Sequence, residues 1–349
     1  MADFRVVLIE HGYAERTLER GIITAAGGEF IDAESLPRPE ALRLCESADV
    51  VMLRRITVTS QMLSAWRRCK LVIRYGVGTD NIDVSAATRL GIMVGHVPTY
   101  CVDEVATHAL ALLLACIRNV PWTHQRMREG AWDVTRTAPI FRMEGRTLGI
   151  VGLGQIGSRL ARLVQSWGLT VLATDPWIEP QHARELDVRL VSLEELCGRS
   201  DYISLHVPLL PETHHLIGTA QLAAMKPGAV LVNTARGGVV YPQALLEALN
   251  PGRLARAALD VYEEEPLPGD SPLRSHPQAL LTDHMGWYSE DSQRDLQRHA
   301  AELAVCVGVG GLPGSLANPQ VLQQLGRFDE WRPADNMRWQ LRRLAALGE

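Results

Sequence analysis

Residues 147–168 read TLGIVGLGQIGSRLARLVQSWG, and this stretch decides the fold. A strand-like run, TLGIV, leads through Gly152-Leu153-Gly154-Gln155-Ile156-Gly157 into the helical pattern SRLARLVQSWG. In this setting the glycines have separate tasks. Gly152 permits the tight turn, Gly154 lets a pyrophosphate approach the backbone, and Gly157 lets the helix pack on the strand. Gln155 and Ile156 lie in the first helical turn, where free N–H groups and the helix dipole favour an anion. At the end of the next strand stands Asp175, in VLATDPW. An acid there can accept hydrogen bonds from ribose hydroxyls and would repel a 2′-phosphate. The pattern therefore predicts NAD rather than NADP.

Outward from this unit, short apolar runs alternate with helical patterns, which implies an α/β protein with parallel sheets. Strand candidates before it are 5–10, 50–54, 70–75 and 92–97. From 147 onward they are 147–151, 170–174, 189–191, 202–207, 229–235, 257–262 and 279–282. A single long helix is expected over about 102–130, where Val105, Leu112, Leu113 and Ile117 recur at helical spacing. Another is expected over about 289–307. The last stretch places Met337, Leu341 and Leu344 on one helical face.

Composition sets further bounds. The 349 residues suggest two domains or one large one. Lys plus Arg is 35 against 40 for Asp plus Glu, a net charge of -5 that argues against a nucleic-acid partner. No apolar run reaches the roughly 18 residues of a membrane span. The start, MADFRVVLIEHG, lacks the basic n-region of a signal peptide. The six cysteines contain no CxxC, so neither a disulfide framework nor a metal site is expected, and a reduced, cytoplasmic location follows.

Three strand ends carry candidate chemistry. Arg236 follows the strand ending in Asn233, where a planar, always charged guanidinium can clamp a carboxylate or carbonyl oxygen. The run Asp260-Val261-Tyr262-Glu263-Glu264-Glu265-Pro266 ends the next strand in acids. His284 follows the last, and a histidine beside a carboxylate makes an acid/base pair. Near the front of the chain, Gly76, Val77 and Gly78 follow a strand and can form either a small anion-binding nest or a tight capped turn.

In their order, RYGVGTDNID (74–83), GLGQIG with Asp175, SLHVPLLPETHHLI (204–217), LVNTARGGVV (231–240), AALDVYEEEP (257–266) and DHMGWYSE (283–290) resemble the D-isomer-specific 2-hydroxyacid dehydrogenases. The resemblance covers about residues 50–320 and includes the phosphoglycerate dehydrogenases. WYSE at 287–290 resembles the branch of the C-terminal-binding proteins, which are NAD-sensing corepressors. The resemblance implies a flavodoxin-like substrate-binding domain (1–100 and 288–325), a Rossmann NAD-binding domain (101–287) and a C-terminal helical extension (326–349). It also implies a homodimer.

Carried over residue by residue, Arg236 is the catalytic arginine, Glu265 the catalytic acid and His284 the acid/base. NAD would be held by Gly152, Gly154, Gln155, Ile156, Gly157, Asp175, Val207, Pro208, Thr213, Thr234, Ala235, Arg236, Asp260 and His284, with Asp260 facing the nicotinamide amide. The substrate, a small anionic 2-oxo or 2-hydroxy acid, would meet Gly76, Val77, Gly78, Arg236 and Trp287, and Arg54 could read a second anionic group. The implied reaction is hydride transfer between nicotinamide C4 and substrate C2. An NAD(H)-sensing binding protein with little turnover is the alternative. Two departures stand out: Asp283 where most relatives carry proline, and Trp287 where the common form has a small residue.

Overall fold

Val50–Leu53 and Tyr202–Leu205 are buried at every position, as expected of central parallel strands covered by helices on both faces. Each lies in its own sheet. The computed structural model describes residues 2–136, 139–250 and 253–334. The chain divides into two compact units, Met1–Tyr100 with Ser289–Glu349, and Cys101–Tyr288.

In the first unit, β1 (Phe4–Glu10), β2 (Gly28–Asp32), β3 (Val50–Leu53), β4 (Leu71–Arg74) and β5 (Met93–His96) form a sheet of order β2-β1-β3-β4-β5. All its pairings are parallel. This is the flavodoxin-like doubly wound order. Strand β2 was not expected. Its sequence, GEFID, carries two acids and lies at the sheet edge, so it lacks the continuous apolar run of a central strand. The unit is completed by the helix Glu290–Gly308, which starts at a capping box between Ser289 and Ser292. From it, Gln297 Nε2 donates to Glu19 Oε1 at 3.0 Å, on the helix Thr17–Ala25.

In the second unit the strands are β6 (Thr147–Val151), β7 (Thr170–Thr174), β8 (Arg189–Leu190), β9 (Tyr202–Leu205), β10 (Ala229–Asn233), β11 (Leu254–Leu259) and β12 (Ala279–Leu281). Their order is β12-β11-β10-β9-β6-β7-β8, again all parallel. The chain thus runs from β6 outward to β8, then returns to place β9 on the other side of β6. That reversal is the Rossmann switch point, where such sheets bind nucleotides.

One device recurs in both sheets. Asp49 Oδ2 accepts from Arg5 N at 3.0 Å, and Asp201 Oδ2 accepts from Thr147 N at 2.9 Å. Each aspartate precedes a central strand and ties it to the start of the first. Burial pushes both carboxyls up. The backbone N–H groups and neighbouring cations (Lys70 and Arg68, or Arg146 and Lys226) outweigh it and hold both below their ordinary range.

The single helix expected over about 102–130 is two, Val102–Ile117 and Val120–Arg128, bent by 59°. The cause is local. Asn119 takes a left-handed conformation (φ 53°), and Pro121 has no N–H to continue the ladder. No single helix among the described residues is long and apolar enough to cross a membrane. Toward the C-terminus, Phe328–Glu330 forms a single helical turn, and Trp331 is buried, donating Nε1 to Pro313 O at 2.8 Å. The helical face of Met337, Leu341 and Leu344 lies outside the described residues.

Candidate active site

The glycine loop after β6 is shaped by contact. Gly152 has φ 93°, and a Cβ there would meet His206 O at 2.7 Å; a Cβ on Gly157 would meet Gly152 O at 2.1 Å. At Gly154 a Cβ would meet nothing within 4 Å. Gly154 caps the helix Gln155–Val164 without a side-chain hydrogen bond, so the open space faces the N–H groups of its first turn. Ile156 packs into the core, and Gln155 is half-buried. Asp175, following β7, accepts from Leu153 N through Oδ2 and from Trp177 N through Oδ1, both at 2.9 Å. Each oxygen keeps a lone pair for a further donor.

Across the switch point, after β9, Val207 lies against Gly152. Thr213 Oγ1 accepts from Leu210 N at 2.8 Å and donates to Pro208 O at 2.6 Å, closing the turn that follows. Burial pushes the His206 imidazole down to about 4. Its Nδ1 and the Oγ1 of Thr234 are buried without a hydrogen-bond partner among the described residues. Buried polar atoms of this kind are normally satisfied. Together with the open space at Gly154, they fit a bound dinucleotide at this strand edge.

Three further strand ends meet beside this loop. After β10, Asn233 Oδ1 accepts from Ala235 N at 3.0 Å and its Nδ2 donates to Arg236 O at 2.9 Å. These bonds fix the turn that presents Arg236, whose Nη1 donates to Ala235 O at 2.7 Å. Gly237 then passes so close to the next loop that a Cβ would meet Tyr262 C at 1.8 Å. On that loop Glu265 Oε1 accepts from Tyr262 N at 3.0 Å. The Tyr262 hydroxyl donates to Thr282 O at 2.8 Å and so reaches the third strand end, and burial pushes that phenol up to about 12.

There His284 Nδ1 donates to Glu265 Oε2 at 2.6 Å. Burial pushes the Glu265 carboxyl up, but the hydrogen bond and charge of His284, with smaller contributions from Tyr262 N and Arg236, hold it below its ordinary range. The structure thus brings Arg236, Glu265 and His284 together.

His284 has φ 59°, a left-handed conformation that is rare for a residue with a Cβ. The residues that hold it there centre on Asp260. This buried carboxylate accepts from Met285 N at 3.0 Å, Gly286 N at 2.9 Å and Thr282 Oγ1 at 2.6 Å, and pairs with His108 Nε2 at 3.3 Å. Burial acts to raise the Asp260 carboxyl, and these donors outweigh it and hold it low. Asp260 thus holds the His284 turn, mainly through Oδ1, while Oδ2 accepts from Gly286 N.

His108 and Thr282 were not singled out in the sequence. His108 stands at helical spacing from Val105 and Leu112, a titratable residue on an otherwise apolar face, and that was the available signal. Asp283 is exposed, without a hydrogen bond or ion pair among the described residues. Trp287 is half-buried, its ring edge-on to Tyr288 at 5.4 Å.

Residues 110–286 match the family model described as D-isomer specific 2-hydroxyacid dehydrogenase, NAD binding domain. The chain is 38 % identical over 287 residues to a glyoxylate reductase of Korarchaeum cryptofilum, covering 81 % of this chain and 86 % of the relative. The chain belongs to the D-isomer-specific 2-hydroxyacid dehydrogenase family. A D-3-phosphoglycerate dehydrogenase of Methanocaldococcus jannaschii is 40 % identical over 305 residues, 86 % of this chain. This chain spans 58 % of that family member's length, and about half the length of other phosphoglycerate dehydrogenases that it matches. Among solved structures of the family, D-lactate dehydrogenase from Aquifex aeolicus, complexed with NAD and lactic acid, superposes with a TM-score of 0.79 at 26 % identity. That match covers 90 % of this chain and 98 % of the other.

In the first unit, the other expected substrate residues gather at the carboxyl edge of its sheet. Gly76 O accepts from Val97 N at 2.9 Å, and Val77 O accepts from His96 Nδ1 at 2.6 Å, which fixes the loop containing Gly78. Burial pushes the His96 imidazole down to about 4. Arg54 follows β3. Its Nη1 donates to His11 O at 3.3 Å, and its guanidinium lies 5.0 Å from the centre of the Tyr13 ring. Burial raises the Tyr13 phenol, and the charges of Arg54, Arg74 and Arg55 oppose that rise. Of these, the Arg54 guanidinium lies against the buried ring itself.

Proposed function

We propose that the chain is an NAD-dependent oxidoreductase interconverting a small 2-oxo acid and its D-2-hydroxy acid. The observation that carries this reading is the 2.6 Å bond between His284 Nδ1 and Glu265 Oε2, with Arg236 acting on the same carboxylate. NAD, when bound, supplies the hydride chemistry at its nicotinamide C4. The residues supply everything else. With Nδ1–H engaged by Glu265, Nε2 of His284 is the atom left to give a proton to the C2 oxygen in reduction and to take it back in oxidation. Glu265 orients the imidazole through that bond. Arg236 polarises the C2 oxygen and aligns the substrate carboxylate, a task suited to its forked, permanently charged group. Asp260 and Thr282 hold the turn that presents His284.

Substrate anions are assigned to the first unit's sheet edge. The backbone N–H groups of the 76–78 loop would hold the carboxylate, and Arg54, with Arg55 and Arg74 near it, would hold a second anionic group. The substrate is therefore of the phosphoglycerate, hydroxypyruvate or glyoxylate type, and the guanidinium cluster favours the phosphorylated one. The homodimer reading is supported by the exposed apolar side chains Val120, Met127, Trp132, Val134 and Phe141 on one stretch of the NAD-binding unit.

The test is loss of NADH absorbance with glyoxylate, pyruvate, hydroxypyruvate and 3-phosphohydroxypyruvate. Turnover is expected with a preference for the phosphorylated acid, and Arg54→Gln should remove that preference while sparing glyoxylate. Tight NADH binding without turnover on any of these acids would sink the enzyme reading in favour of an NAD(H) sensor.

A further inference from the structure

We propose that His214, His215 and Glu263 form a binding site for a divalent transition-metal ion of the zinc type, separate from the His284–Glu265 pair. One ligating atom from each residue lies within 4.8 Å of the other two. Both Nε2 atoms converge on one oxygen: His215 Nε2 is 2.7 Å and His214 Nε2 is 3.7 Å from Glu263 Oε1. Ligands held at about 2.0–2.2 Å around a tetrahedral ion are separated by roughly 3.3–3.6 Å. The observed separations bracket that range, so small side-chain rotations suffice to admit the ion.

The backbone builds this convergence. Side chains of consecutive residues in extended chain point apart, whereas the rings of His214 and His215 stack with centroids 3.8 Å apart. The turn responsible is His215, at φ 51°, in the left-handed region. It is held there by His215 N donating to Gly238 O at 2.8 Å, with Ile217 N donating to Val239 O at 3.0 Å just beyond. The Tyr241 ring lies against His215, 4.9 Å between centroids. Glu263 arrives from the loop after β11, which Gly237 abuts directly. Two pinned loops therefore present the three ligands.

The donor set decides the class of ion. Two imidazoles and a carboxylate suit zinc, nickel or copper; magnesium and calcium prefer all-oxygen shells. All three side chains are partly exposed, which leaves a fourth position for water. The hydride and proton steps use none of the three residues, and the site stands or falls independently of the dehydrogenase reading. Glu263 shares its loop with Glu265, so a bound ion would fix the loop that carries the catalytic acid.

The test is titration of the full chain with zinc chloride against a chromophoric chelator, alongside thermal unfolding with and without the ion. The wild type is expected to take up one equivalent and to melt at a higher temperature with zinc, because the ion binds only the folded state. His215→Ala and Glu263→Gln should each weaken that binding at least about tenfold, the scale of losing even a ligand's hydrogen-bond partner. Their metal-free melting should match the wild type, and His284→Gln should bind zinc as the wild type does. Zinc uptake equal in the wild type and in the soluble, folded Glu263→Gln would overturn the proposal. So would loss of the equivalent in His284→Gln alone, or an equal response to magnesium.

Discussion

Replacing Glu265 by glutamine keeps the shape of the side chain and removes its charge. The amide oxygen can still accept from Tyr262 N, so the loop after β11 should stand. What is lost is the charge-assisted bond to His284 Nδ1, which at 2.6 Å is at the short end of its class. Hydrogen bonds to charged groups contribute about 1.5–3 kcal/mol. Both side chains are more than a third exposed, which screens the pair and favours the lower half of that range. At 1.36 kcal/mol per decade this corresponds to about a 10- to 50-fold fall in kcat/KM. The assay is steady-state reduction of the best 2-oxo acid, with NADH affinity followed by fluorescence in the same preparation. NADH affinity is expected to stay within about twofold, since the nucleotide loop is untouched. His284→Gln should cost about 10²- to 10⁴-fold, and the double variant little more, because the two residues act as a unit. An E265Q enzyme within twofold of the wild type, or additive losses in the double variant, would refute the reasoning.

Four further substitutions have distinct signatures. Gly154→Ala fills only open space, so it should leave Tm nearly unchanged while weakening NADH binding; Gly157→Ala collides with Gly152 O and should lower Tm as well. Calorimetry with NADH titration separates the two, and equal Tm losses would contradict the geometry. Asp175→Ala should reduce catalytic efficiency with NADH by about tenfold and that with NADPH less, and an unchanged ratio would remove Asp175 from the ribose site. Asp201→Asn should cost about 1–3 kcal/mol at neutral pH, measured by urea unfolding. Because the folded carboxyl titrates below its ordinary 3.8, that stabilisation is present above 3.8 and is lost as the pH falls through the lower folded value. A gap between variant and wild type that persisted unchanged at still lower pH would contradict this assignment.

Legibility in the sequence followed the range of the interactions. The glycine loop was readable because strand, turn and helix N-terminus lie within a dozen consecutive residues, and central strands announced themselves as apolar runs. The edge strand β2 did not, since an edge tolerates the acids of GEFID. The break at Asn119 is marked in the sequence only by Pro121, and helical spacing on either side masks the interruption. At the site, Arg236, Glu265 and His284 stood out as unusual residues at strand ends. The clamp around Asp260 did not: Thr282, Met285 and Gly286 lie on the next strand end and His108 on a helix far back in the chain, and only the fold assembles them. The pairing of His214 and His215 with Glu263 was hidden for the same reason.

The most direct test of the dehydrogenase reading follows the hydride itself. NADH deuterated at the transferred C4 position should be oxidised with the preferred 2-oxo acid, and the product should be examined for isotope position and chirality. The expected product is the D-2-hydroxy acid with deuterium at C2, formed by the wild type and at least about a hundredfold more slowly by His284→Gln. An L product, or a hydroxy acid without deuterium at C2, would contradict the account.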